Sequence, residues 1–162
     1  MGPNDLTKGL PVVLRILIDG AVGGAVLSLA AFLLSRFTRE IVGRFLLFAV
    51  LIVAAGFYVY FALRSDESAS WIALELIGIA VYTTIGAFGL RGSPMWLAAG
   101  WALHPLWDIV LHYFGPGHTF APETYTIACL SYDWLVAGYI VAAYRFGWVG
   151  DRTSALAAPG TR

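Results

Sequence analysis

The sequence predicts an all-α, polytopic membrane protein: a bundle of five transmembrane helices with the N-terminus outside and the C-terminus cytoplasmic. Three observations predict it. Of 162 residues, 59% are apolar and 12% are charged, against about 45–50% and about 25% in soluble domains. Five apolar stretches reach the roughly 20 residues that a helix needs to cross a bilayer. The basic residues gather in the joins on one side. The same composition excludes disorder. Ten basic and ten acidic side chains cancel, so there is no electrostatic footprint for nucleic acid. A single cysteine, Cys129, excludes an intrachain disulfide and a cysteine-cluster zinc site, and reads as a small apolar filler.

The spans cover residues 12–34, 43–63, 70–90, 94–114 and 124–146. Each can satisfy its own backbone as a helix in lipid, and none shows the alternation of a membrane barrel strand. Residues 1–150 thus make one five-helix domain, followed by a flexible tail over 151–162. In the first span Ser28-Leu29-Ala30 imitates a signal-peptide cleavage site. Asp19 interrupts the required apolar region, however, and the apolar run continues past that site to Leu34. In the longest join, Gly115 to Glu123, two prolines discourage helix before Glu123 opens the last span.

With five spans, Arg36, Arg39, Arg44, Arg91, Arg145, Arg152 and Arg162 fall on one side, and Lys8, Arg15 and Arg64 on the other. The positive-inside rule makes the first side cytoplasmic. The expected location is a cell membrane, a bacterial inner membrane, with membrane lipid as the surrounding partner.

Ionisable groups inside spans are costly and usually mark function or a paired contact. Counted from the outer ends, Glu75 lies five residues in, Asp108 six, Asp19 seven, Asp133 nine and His104 ten. At 1.5 Å per residue they fall within roughly 8–15 Å of the outer surface, with His112 nearer the rim. Tyr58 and Tyr60 of the second span lie at similar depth, and the cytoplasmic halves carry almost nothing ionisable. The expectation is one polar pocket in the outer half.

Its centre is W-A-L-H-P-L-W-D-I-V-L-H-Y, where His104, Asp108 and His112 recur at i, i+4 and i+8. That spacing stacks them on one helix face, so Asp108 could orient either imidazole, as acid–base chemistry or metal ligation requires. Pro105 leaves the Trp101 carbonyl without its helical donor. His104, Asp108, Asp133 and Glu75 are the candidate catalytic residues. His112, Trp101, Trp107, Tyr132, Trp134, Tyr58 and Asp19 are the candidate ligand-binding residues. Each has a plainer reading: interhelical hydrogen bonds for the polar groups, packing for the aromatics, and an Arg15 ion pair for Asp19. His118, in the outer join, is expected to be solvated. No cofactor is predicted. A divalent metal could use His104, His112 and Asp108, yet the two histidines stand about 12 Å apart on a straight helix, so one histidine with Asp108, Asp133 or Glu75 is the better ligand set. Gly20 and Gly24, with Gly86, Gly89 and Gly138, allow close helix approach, within the chain or in a homo-oligomer.

The H-x-x-x-D of His104 and Asp108 resembles the H-x-x-x-E of the emopamil-binding sterol isomerase superfamily. Its pair shuttles protons at a sterol double bond inside an aromatic cavity. The resemblance covers one helix and carries over only these two residues. Pro105-Leu106-Trp107-Asp108 followed by His112 is similar to a run in small bacterial membrane proteins of unknown function. Size and span number also resemble the translocator-protein family, whose W-x-P-P signature is absent.

The expected function is acid–base chemistry on a lipid or isoprenoid, as an isomerase, cyclase or hydrolase, with His104 as proton carrier oriented by Asp108. The alternatives are a transporter or binding protein for a small solute, ion or proton, and a structural or partner subunit. A transporter should carry polar groups through to the cytoplasmic side, and this sequence does not.

Overall fold

Leu, Ala, Ile and Val in long runs between short polar joins fold as five α-helices. The computed structural model describes residues 3–149, with side chains from residue 11 onward. The tail, Lys8, Arg152 and Arg162 therefore lie outside what is described of side chains. The helices are α1 (Pro3–Phe37), α2 (Glu40–Arg64), α3 (Ala69–Arg91), α4 (Pro94–Asp108) and α5 (Glu123–Arg145). No strand occurs among the described residues. Four helices are long and apolar enough to cross a membrane: Pro11–Phe37 of α1, and α2, α3 and α5. The fourth expected span is built differently. α4 proper has 15 residues, and a π-helical turn, Ile109–Tyr113, continues it.

Local chemistry explains the ends. Pro94 occupies the first position of α4, where its missing N–H costs nothing, and the Ser93 hydroxyl accepts from Met95 N at 3.3 Å. Arg64, Arg91 and Arg145 each close a helix, where a cation meets the negative end of the helix dipole. A 3₁₀ turn, Pro116–Thr119, fills the long join, and α5 begins at Glu123.

The helices form a ring. α1 packs on α5 and α2, α5 on α4, α4 on α3, and α3 on α2, while α2 also reaches across to α4. Leu51, Leu97, Trp101, Val136 and Ile140 fill the centre with no exposure. Lipid tails are as apolar as leucine, so close packing rather than water exclusion must hold such helices together. The Gly20–Gly24 face does so inside the chain. It lies against the Ala128 and Tyr132 backbone of α5. Gly86 receives Phe48, and Gly89 receives Leu97. Gly20, Gly24, Gly86 and Gly89 thus meet neighbours within the chain, and Gly138 alone of the five faces open space.

A clasp ties the end of the bundle where α2 begins. Arg44 binds Glu40 at 2.5 Å and donates to the carbonyls of Gly89 and Gly92 at 3.0 and 3.1 Å. Tyr144 of α5 donates to Glu40 and lies under the Arg44 guanidinium.

These contacts make a prediction. A Cβ at Gly24 would stand 2.6 Å from the Tyr132 carbonyl oxygen. Gly24→Val should therefore destabilise the protein by about 1–3 kcal/mol, the usual cost of overpacking, whereas Gly138→Ala should be near neutral. Thermal unfolding in detergent reads both. Equal stability of the two variants would show that α1 does not rest on α5 through this face.

Candidate functional site

α4 and α5 each turn one i, i+4 pair toward the other: His104 and Asp108 from α4, Cys129 and Asp133 from α5. One ligand-type atom from each lies within 4.8 Å of those of the other three. His104, Asp108 and Asp133 have no exposure at all, and Cys129 is buried. His104 Nδ1–H donates to Asp133 Oδ2 at 2.8 Å. Asp108 Oδ2 stands 3.5 Å from the same nitrogen, beyond good hydrogen-bond length. Both oxygens of Asp108, Asp133 Oδ1 and His104 Nε2 have no hydrogen-bond partner. Buried polar groups are normally satisfied, and here four unsatisfied atoms gather on three residues.

A second pair lies one turn further along the chain, at the π-helical turn. His112 Nε2 approaches Glu75 Oε1 of α3 at 3.4 Å, both side chains buried. The Tyr58 ring stacks on His112, with centroids 3.9 Å apart and planes 10° apart, and its hydroxyl meets Thr126 at 3.3 Å. His112 does not sit over Asp108, as α-helical spacing predicts. The i, i+4 relation belongs to the α-helix, and the chain turns π-helical immediately after Asp108. The group of ligand-type atoms within 4.8 Å of one another is therefore made by His104, Asp108, Cys129 and Asp133 and does not include His112.

Two openings lead to these residues. A pocket of about 390 Å³, lined by His112, Tyr113, His118 and Glu123, opens at the Gly115–Glu123 join. Between α2 and α5 runs an apolar cleft of about 220 Å³, lined by Val53, Ala54 and Phe57 on one side and by Ala128, Cys129 and Asp133 on the other. Tyr125 bridges it, its hydroxyl donating to the Ala54 carbonyl at 3.0 Å. Val53 is 59% exposed and Phe57 41% exposed, so the cleft opens on the outer wall of the bundle. Inside, Glu75, Tyr82, Trp107 and His104 border a void with no room for water.

The structure thus brings together His104, Asp108 and Asp133, and sets Glu75, His112 and Tyr58 beside them. Trp107 borders the inner void, and Tyr132 lines the cleft. Trp101 belongs to the apolar core, its ring 5.9 Å from that of Tyr132. Two expectations need correction. Asp19 is exposed on α1, away from the site, and makes no ion pair with Arg15 among the described residues. Trp134 is 50% exposed and donates to the Ala102 carbonyl on the outside of the bundle; its place in the sequence, next to Asp133, points it the opposite way. Tyr60 is exposed beside Arg64, and His118 is exposed, its Nδ1 2.8 Å from the Gly115 carbonyl oxygen. Sequence reasoning missed Cys129. The signal was present: Cys129 and Asp133 repeat on α5 the i, i+4 spacing of His104 and Asp108.

Fold and site together define a small helical membrane protein with a buried His–carboxylate–thiol centre. Residues 19–146 match the model of the family of unknown function DUF6010, and the chain belongs to that family. No curated protein and no solved structure matches it.

The His104–Asp133 bond can be measured. His104→Ala or Asp133→Ala alone should cost about 1–3 kcal/mol, because each leaves a buried partner unsatisfied. The double variant should cost less than the sum, with a coupling of about 0.6–1.7 kcal/mol, as found for hydrogen bonds inside membranes. Strict additivity would mean that the two side chains do not bond.

Proposed function

We propose that this protein is a five-span enzyme of a cell membrane that performs acid–base chemistry on a lipid or isoprenoid chain. One observation carries the reading: an apolar cleft on the outer wall of the bundle ends on Asp133, the residue that holds His104 Nδ1. The cleft, at about 220 Å³, is below the roughly 300–1,000 Å³ of ordinary ligand pockets. It suits one acyl or prenyl chain better than a whole sterol nucleus. An isomerase or cyclase fits an apolar substrate of that shape; a hydrolase would also need a place for water beside the reacting bond.

His104 is the proton carrier in this reading, with Asp133 and Asp108 stabilising its imidazolium. Protons come from the outer pocket, through His112 and Glu75, whose side chains stand between that pocket and the void bordering His104. A transporter would need a path onward. The opposite half of the bundle is closed by Leu47, Leu51, Leu97, Ile140 and Ala143, which argues against one.

Deuterium transfer tests the reading without a named substrate. Membranes containing the protein, held in heavy water and then extracted, should yield a lipid that has gained carbon-bound deuterium. Asp108→Asn preserves size and hydrogen-bonding capacity but removes the charge, and should lower that incorporation by about 10²–10⁴-fold while the protein stays folded. If no lipid gains more deuterium with the native protein than with the variant, acid–base catalysis is wrong.

The proposed topology places the α2–α3 join outside and the α1–α2 join inside. A cysteine introduced at Ser68 should react with a membrane-impermeant thiol reagent in intact cells, and one at Thr38 only after lysis. The reverse pattern would invert the topology.

A further inference from the structure

We infer that His104, Asp108, Cys129 and Asp133 form a binding site for a single transition-metal cation, zinc(II) by preference. The inference concerns occupancy of the site and does not rest on the acid–base reading; a cation on His104 Nδ1 excludes the imidazolium, so the metal-bound and proton-carrying forms of the cluster are alternatives.

The geometry is that of a metal site built between two helices of a bundle, where facing helices each project ligands at i, i+3 or i, i+4. Here α4 supplies an imidazole and a carboxylate, and α5 a thiol and a carboxylate, all four buried. A tetrahedral zinc ion with ligands at about 2.0–2.3 Å sets those ligands roughly 3.3–3.8 Å apart. The four atoms already lie within 4.8 Å of one another, with His104 Nδ1 3.5 Å from Asp108 and 2.8 Å from Asp133. Shifts of about an ångström or less would convert the cluster to that geometry. His104 Nδ1 faces the cluster, and the residue also lines the void that Glu75 borders.

An independent observation points the same way. Asp108 is completely buried and neither of its oxygens has a hydrogen bond of normal geometry, the Tyr58 hydroxyl and the Cys129 thiol being its neighbouring donors. Asp133 Oδ1 is in the same condition. A carboxylate oriented into a dry cluster with both oxygens free is costly unless a cation or proton is shared there. The donor set names the cation class. Thiolate and imidazole favour zinc, cobalt(II) or iron over magnesium and calcium, which take oxygen ligands. Four protein ligands match a closed structural zinc site; loss of one to a substrate entering at Asp133 would open the coordination that catalysis needs.

The test is metal content and cobalt spectroscopy of the full chain, purified in detergent without chelator. Elemental analysis should find about one zinc or comparable ion per chain. Cobalt(II) exchanged into the protein should show tetrahedral visible bands and a near-ultraviolet thiolate-to-cobalt band. Cys129→Ser, close to isosteric, should remove the thiolate band; Asp108→Asn and Asp133→Asn should weaken cobalt affinity by at least about 100-fold. Circular dichroism and gel filtration establish that the variants are folded. Metal-free protein that shows no cobalt bands on titration overturns the site, as does cobalt whose spectrum and affinity are unchanged by all three substitutions. Metal-free protein that still loses deuterium transfer in Asp108→Asn overturns the metal alone. Bound cobalt with undiminished transfer in that variant overturns the acid–base reading alone.

Discussion

The polar half of this bundle is arranged around one electrostatic conflict. Asp108 and Asp133, from neighbouring helices, place carboxylate oxygens within 4.8 Å of one another in a site without solvent. Two unit charges 4 Å apart repel by about 4 kcal/mol even at an effective dielectric of about 20. The one hydrogen bond present, from His104 to Asp133, contributes about 1.5–3 kcal/mol when a charge is involved. That is too little to hold two bare anions together. A proton or a cation shared within the cluster would relieve that repulsion.

The rest of the fold keeps that conflict in place. α5 carries half of the cluster, and α1 holds it by close backbone contact at Gly20 and Gly24. The Arg44 clasp fixes the far ends of α2, α3 and α5, and a core of Leu51, Leu97, Val136 and Ile140 closes the space between clasp and cluster. Polar groups at the two ends are thus managed in opposite ways. Arg44 and Glu40 neutralise each other and spend their hydrogen bonds on carbonyls and on Tyr144. Near the other end, Asp108 spends none.

Much of this was legible in the sequence, and the exceptions have physical causes. Apolar runs and the basic residues at their ends located the five helices, because segment length and backbone satisfaction leave few alternatives in lipid. Matching depth brought His104, Asp108, Asp133 and Glu75 into one region, because helical rise converts residue number directly into height. Azimuth was harder. Depth alone placed Asp19 and Trp134 with the others, but α1 turns Asp19 outward, and Trp134, next to Asp133, is directed away from it. The π turn after Asp108 also has no single-residue signature, and it moves His112 out of the α-helical register on which its pairing with Asp108 depended. Cys129 was lost to a prior: a lone cysteine in an apolar helix is usually packing, and only the facing helix reveals its company.

The order of the polar residues matters more than their number. Asp133 is the only carboxylate bordering the apolar cleft among the described residues, and it is also the one bonded to His104. His112 is the member of the set that borders the pocket at the Gly115–Glu123 join, and it meets Glu75, which borders the inner void together with His104. A line therefore runs from that pocket through His112, Glu75, His104 and Asp133 to the apolar cleft. Asp108 stands beside this line, touching neither opening. A group in that position can neither collect protons from water nor deliver them to a chain in the cleft. What it can do is set the charge that His104 carries or help hold a cation against it, so both the acid–base and the metal reading of the site turn on Asp108.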